Sequence, residues 1–324
     1  MRRRELIALF GGAIAWPFAV SAQSPSGKML RVGVVGAQGR DAPIYVAFLK
    51  RMAELGYQEG RNFSFEYVRT PSIDDYEASF RELAARKPDI VMAVGNEPAL
   101  RAARAIAGDL PIVVLAIDFD PVARGYVASM ARPGGNITGM FVHALELAAK
   151  RIELLRAALP AARKLGLVWD AASRDQAEAA ANAAPALGFE PRRIEVTGQP
   201  PDYAAALAQM ADAPGEPVAI PAGPIFLRDR ESIERLLLDR RIPSVSAFRE
   251  LAQAGGLMSY GVDLVGVFGD VANVVDQVAK GRKPAELPIV QVSRFHLAIN
   301  LKTAKALGVD LSPTLLARAD EVIE

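Results

Sequence analysis

Hydrophobic positions fall into short runs separated by amphipathic stretches along nearly the whole chain. Residues 31–36 predict a buried strand that ends in a glycine turn. Strands follow over 63–68, 89–94 and 111–117, with helices over 42–55, 73–86 and 98–106 between them. This β-α-β-α-β-α-β order implies a parallel sheet covered on both faces. A turn-forming cluster, Arg132-Pro133-Gly134-Gly135-Asn136, interrupts the alternation and is expected to approach a first crossover between lobes. The alternation then restarts: a helix over 145–159 stopped by Pro160, then strands over 164–169, 191–196, 218–220 and 243–246. Helices over 176–187, 203–211 and 230–240 lie between those strands. The fold class read from this pattern is α/β, with two doubly wound parallel-sheet lobes. The C-terminal part differs in texture. Gly255-Gly256 precedes a strand over 257–260, a long helix covers 265–280, and Pro284 and Pro288 frame an extended piece. A strand over 298–301 and a short helix over 303–307 follow. Such a tail suits a chain that crosses back to the first lobe and returns, so that several strands form the hinge.

The first residues carry a different pattern. Arg2, Arg3 and Arg4 precede an apolar run over 6–20, and Val20-Ser21-Ala22 offers small residues before Gln23. This is the plan of a cleaved secretory signal over 1–22, and it implies export to the periplasm. An N-terminal anchor is the alternative, but the run is short for a membrane span. Arg3-Arg4-Glu5-Leu6-Ile7 fits a twin-arginine signal as well as an ordinary secretory one. Cutting after Ala22 removes three Arg and one Glu, which takes the formal net charge from +1 to −1. Without a basic face, nucleic-acid binding is not expected. There is no cysteine, which excludes disulfides, thiol catalysis and cysteine metal sites.

Several segments, in order, resemble one family. They are the start over 2–23, Asp120-Pro121-Val122, and Ala131 through Gly139. Next come Phe248-Arg249-Glu250 with the stretch over 254–261, then the stretches over 299–308 and 319–324. Together they resemble the ABC transporter substrate-binding family that includes tryptophan- and other aromatic-amino-acid-binding proteins. The resemblance implies a type I periplasmic binding fold with a first lobe over 29–138 plus 256–286 and a second over 139–255 plus 287–324. It also implies a monomer that holds a small organic ligand between the lobes. An inner-membrane ABC permease with its ATPase would be the partner, and no cofactor or metal is implied. An amino acid is the first choice of ligand. A sensor subunit that reports the same ligand to a receptor is the alternative role.

In open parallel sheets, ligands gather outside the carboxyl ends of the strands. That rule singles out the loop around Gln38, where Gly33, Gly36 and Gly39 are spaced unlike a dinucleotide fingerprint. The family reading makes Gln38 a ligand contact; an ordinary tight turn is the other reading. Asn96 suits a helix cap, and Glu97 departs from the small or hydroxyl residue usual in the family. Either can be a cap or a ligand contact. The loop Asp118-Phe119-Asp120-Pro121 offers two carboxylates for a ligand ammonium and an aromatic stacking surface, although Asp before Pro also starts turns. From the second lobe and the crossings come Phe141, His143, Ala222, Phe248, Tyr260 and Asp263. An enzyme is not expected. There is no G-x-S-x-G, and His143 and His296, the two histidines, form no metal motif.

Overall fold

A computed structural model describes residues 29–117, 119–210 and 215–324; the expected signal over 1–22 and Asp118 lie outside the described residues. The first lobe is built from β1 (Leu30–Gly36), α1 (Pro43–Glu54), β2 (Phe63–Arg69), α2 (Tyr76–Ala85), β3 (Ile90–Gly95), α3 (Glu97–Ala107), β4 (Ile112–Ala116) and β5 (Ile137–Phe141). The second follows with α4 (Ala144–Ala158), β6 (Lys164–Trp169), α5 (Arg174–Ala183), β7 (Glu190–Glu195), α6 (Tyr203–Leu207), β8 (Val218–Ile220), α7 (Pro224–Arg228), α8 (Arg230–Asp239), β9 (Ser244–Ser246), α9 (Arg249–Gln253) and β10 (Met258–Val262). The tail contributes α10 (Leu264–Ala279), β11 (Val290–Gln291), β12 (Phe295–Asn300), α11 (Leu301–Leu307), α12 (Pro313–Leu316) and β13 (Glu321–Ile323).

The strands form two sheets, ordered β11-β5-β4-β3-β1-β2 and β13-β12-β10-β9-β8-β6-β7. Every pairing is parallel except β10 with β12. Central strands such as β4, buried along its whole length, carry β-branched and apolar residues on both faces because helices cover both. The two lobes of the α/β expectation are therefore present. Among the described residues no helix is long and apolar enough to cross a membrane.

The crossings between the sheets fall later than the expected lobe boundaries. Residues 137–141 are a full strand of the first sheet rather than the start of the second lobe. Strand β10, expected in the first lobe, belongs to the second sheet, and β11, expected in the second, belongs to the first. The chain thus crosses near 142–143, at 263 and near 292–294. The turn clusters that suggested 138, 256 and 286 flank the last strand before each crossing, not the crossing itself. Gly139 explains why β5 sits where it does. Its φ is +143°, and a Cβ there would lie 1.9 Å from the Val114 carbonyl oxygen of β4, so a side chain would push the strand away.

Helix α10 returns the tail to the first lobe by packing along α1. Val267, Phe268, Val271 and Val275 are buried there, each worth about 1.5–3 kcal/mol relative to exposure. A polar tie fixes the far end: the Tyr57 hydroxyl donates to Asp276 Oδ1 at 3.0 Å, and Lys280 Nζ lies 2.9 Å from Asp276 Oδ2.

Candidate functional site

The carboxyl ends of the two sheets face each other across a cavity of about 50 Å³. The first lobe supplies the turn Gly36–Gln38 after β1, Gly95 and Asn96 after β3, and Ile117 after β4. Tyr45 of α1, Tyr76 at the start of α2, and Leu264 and Phe268 of α10 complete its side. The second lobe supplies Ala222, Gly223 and Pro224 after β8, Leu227 of α7, and Phe248 after β9. The wall is apolar and rich in aromatic rings, with a few polar groups. Such a composition suits a small ligand with a flat apolar body and a small number of hydrogen-bonding points.

Asn96 is the polar group whose position is hardest to explain by folding alone. It stands at the N-cap of α3, but its side chain makes no capping bond. It is 3% exposed, and neither Oδ1 nor Nδ2 has a partner. A buried amide without hydrogen bonds is costly. Gln38 is used differently: its Nε2 donates across the cleft to the Pro224 carbonyl at 3.2 Å. The turn behind it is held by Tyr67, whose hydroxyl donates to the Gly36 carbonyl at 3.0 Å and also contacts the Gln38 carbonyl. Gly36 is required here, because a Cβ would come within 1.9 Å of the Tyr45 hydroxyl. Tyr45 itself meets Phe268 edge-on at 5.6 Å, and burial pushes its hydroxyl above the usual tyrosine range, so it remains a neutral donor.

A polar rim surrounds the cavity and ties the lobes together. Arg124 of the first lobe lies 3.3 Å from Glu97 Oε2 and 2.6 Å from Asp175 Oδ2 of the second. On another side Arg228 Nη1 donates to the Pro71 carbonyl at 2.6 Å. Asp229 takes two bonds from the same guanidinium and one from the Tyr203 hydroxyl at 2.8 Å. Gln199 Nε2 adds a 2.9 Å bond to Asp74 Oδ2. Along the Arg228 and Gln199 ties runs a groove of about 1050 Å³.

Of the expected site residues, Gln38, Asn96, Ala222 and Phe248 come together on the cavity wall. The others among the described residues do not line it. Glu97 turns to the rim, where its Oε1 accepts from the Tyr126 hydroxyl at 2.9 Å. Phe119 is buried in the first-lobe core against Tyr126. Asp120 is exposed and accepts the N–H groups of Val122 and Ala123 at 2.8 and 3.2 Å, so it closes its own turn. Phe141 and His143 pack against each other at the first crossing, with His143 Nδ1 3.4 Å from Glu146. Tyr260 stacks near Phe295, and Asp263 is exposed at the second crossing. Among the described residues of the wall there is no Asp, Glu, Lys, Arg or His. Asp118, which follows the wall residue Ile117, lies outside the described residues.

The aromatic residues Tyr45, Tyr76 and Phe268 escaped the sequence reading. They sit on helices rather than loops, where an aromatic residue reads as core. Their common signal is position: each falls in the first two turns of a helix that starts at the cleft edge of a sheet. No group of three or more metal-binding side chains occurs among the described residues.

Known proteins share this fold. A tyrosine-binding protein of Clostridioides difficile strain R20291 is 22% identical over 268 residues, covering 81% of this chain and 75% of the relative. The crystal structure of an ABC domain in complex with L-Trp from Streptococcus pneumoniae superposes with a TM-score of 0.81 at 22% identity, covering 91% of this chain and all of the other. A benzoate-bound solute binding protein from R. palustris matches with a TM-score of 0.57 at 15% identity, over 83% of this chain and 92% of the other. These likenesses establish the type I periplasmic binding fold. The model of the ABC transporter substrate binding proteins matches residues 34–323, and the chain belongs to that family.

Proposed function

We infer that the protein is the capture component of an ABC importer: it closes over a small organic molecule with an aromatic body, an aromatic amino acid first, and delivers it to an inner-membrane permease driven by its ATPase. The signal-like start over 1–22 supports a periplasmic site of action. Asn96 is the observation that carries the ligand reading. It faces a cavity rimmed by tyrosine and phenylalanine rings with both amide atoms unpaired, so a ligand that accepts from Nδ2 and donates to Oδ1 removes a standing cost. The relative named for tyrosine and the neighbours bound to L-Trp and benzoate support the same ligand class.

Calorimetric titration of purified protein with tyrosine, tryptophan, phenylalanine and benzoate tests the reading. Micromolar or tighter binding of one of them, with compaction in small-angle scattering as open molecules close, is the expected result. Failure of all four, alongside binding of a sugar or a basic amino acid, would overturn it.

A further inference from the structure

A second, smaller cavity lies inside the second lobe between α4, α5 and the strands β6 and β8, with a volume of about 20 Å³. Most of its wall is apolar, including Ala148, Leu167, Ala177 and Ile220. Two polar side chains reach it, and they differ. The Gln176 amide is fully committed, donating to the Ala222 carbonyl at 2.7 Å and accepting the Ala222 N–H at 2.9 Å. Arg151 is not. It is 3% exposed, and its bond is a long one, Nη1 to the Tyr260 carbonyl at 3.3 Å. A guanidinium has five N–H donors.

Among the described residues no carboxylate pairs with Arg151, and burial alone lowers its pKa, to about 10. It therefore stays cationic at neutral pH. A buried cation without an opposite charge is strongly unfavourable, and large proteins normally meet it with an acidic side chain. We propose that this cavity is a binding site for one monovalent inorganic anion of chloride size, held by Arg151. A void of about 10–15 Å³ admits one water, so about 20 Å³ accepts one small anion and leaves little room for sulfate, phosphate or organic carboxylates. The apolar remainder of the wall suits a weakly hydrated halide and offers nothing to a cation.

The position gives the site consequences beyond its own lobe. Arg151 touches the backbone of β10, the strand that leads into the second crossing. Gln176 shares the anion cavity and fixes Ala222, which lines the ligand cavity. Halide should therefore stabilise the second lobe and firm the Ala222 side of the cleft, whatever ligand the cleft takes.

The test is a melting series of the purified full chain in chloride, bromide, gluconate and sulfate at matched ionic strength. Chloride and bromide should raise the melting temperature by about 2–4 °C in a saturable way, gluconate and sulfate should not, and Arg151→Met should abolish the difference. Equal melting in all four salts, or a halide effect that survives Arg151→Met, overturns the proposal. Should Arg151→Met fail to fold, wild-type crystals grown in bromide decide. An anomalous peak beside the guanidinium supports the site; a water there at saturating bromide refutes it.

Discussion

Two of the buried polar side chains with an unpartnered atom, one in each lobe, resolve the lack in opposite ways. Asn96 faces the cleft, where a ligand can reach both of its free atoms. Glu234 of α8 lies in the second-lobe core at 1% exposure. Its Oε2 accepts from the Ser244 hydroxyl at 2.8 Å, while Oε1 has no partner and abuts Gly256. No ligand reaches it, so it keeps its proton: burial pushes its carboxyl up to about 8, against a weaker opposing pull from Ser244. The difference teaches that an unsatisfied buried group marks a binding function only where it borders space that opens.

The largest effect expected concerns Glu234. Its folded pKa is above the unfolded value of 4.5, so folding takes up a proton between about 4.5 and about 8. Stability should be highest below pH 4.5 as far as this group is concerned, fall as pH rises to about 8, and level off above. Glu234→Gln should remove that slope and stabilise the protein at pH 8–9 by about 1–4 kcal/mol. Chemical denaturation of both proteins across pH checks it; parallel slopes would put the charge elsewhere.

Next in size is Asn96→Leu. Ligand affinity should drop about 10-fold or more, because a desolvated hydrogen-bonding point is lost. Apo stability should hold or rise, since the variant no longer buries an unpaired amide. A destabilised apo protein would assign Asn96 to the fold and undo the contrast with Glu234.

Smaller effects are expected where polar groups already have protein partners. Arg124→Ala breaks the rim tie to Asp175, an exposed pair of the kind worth little in water. Ligand affinity should weaken about two- to five-fold at low salt and converge with wild type at high salt. A larger, salt-independent loss would move the recognition centre to the rim. Asp120→Asn should leave ligand affinity unchanged, because that carboxylate is spent on the N–H groups of its own turn.

Much of the architecture was legible from the chain. Runs such as 31–36 and 111–117 are apolar on both faces, which happens in a parallel sheet and hardly elsewhere. The strand over 137–141 was not, because the neighbouring Pro133-Gly134-Gly135 cluster read as a lobe boundary. At the site, of the residues in loops after strands, Gln38, Asn96, Ala222 and Phe248 line the cavity. Asp-Pro serves a turn and a ligand equally well in sequence, and in the structure Asp120 holds its own turn. Tyr45 and Phe268 stayed hidden because a helical aromatic residue looks the same whether it faces core or cleft.

The connectors between the lobes are themselves paired. β5 and β11 run side by side out of the first sheet, with Met140 opposite Val290 and Phe141 opposite Gln291. β10 and β12 leave the second as an antiparallel pair, with Tyr260 opposite Leu297 and Val262 opposite Phe295. A hydrogen-bonded ribbon bends readily across its plane but resists sliding along it, since sliding breaks the whole ladder at once. Connectors paired in this way favour a swing like a door on strap hinges over a shift along the jamb. A swing of that kind would return Gln38 to the same Pro224 carbonyl at each closing and so re-form the pocket in one shape.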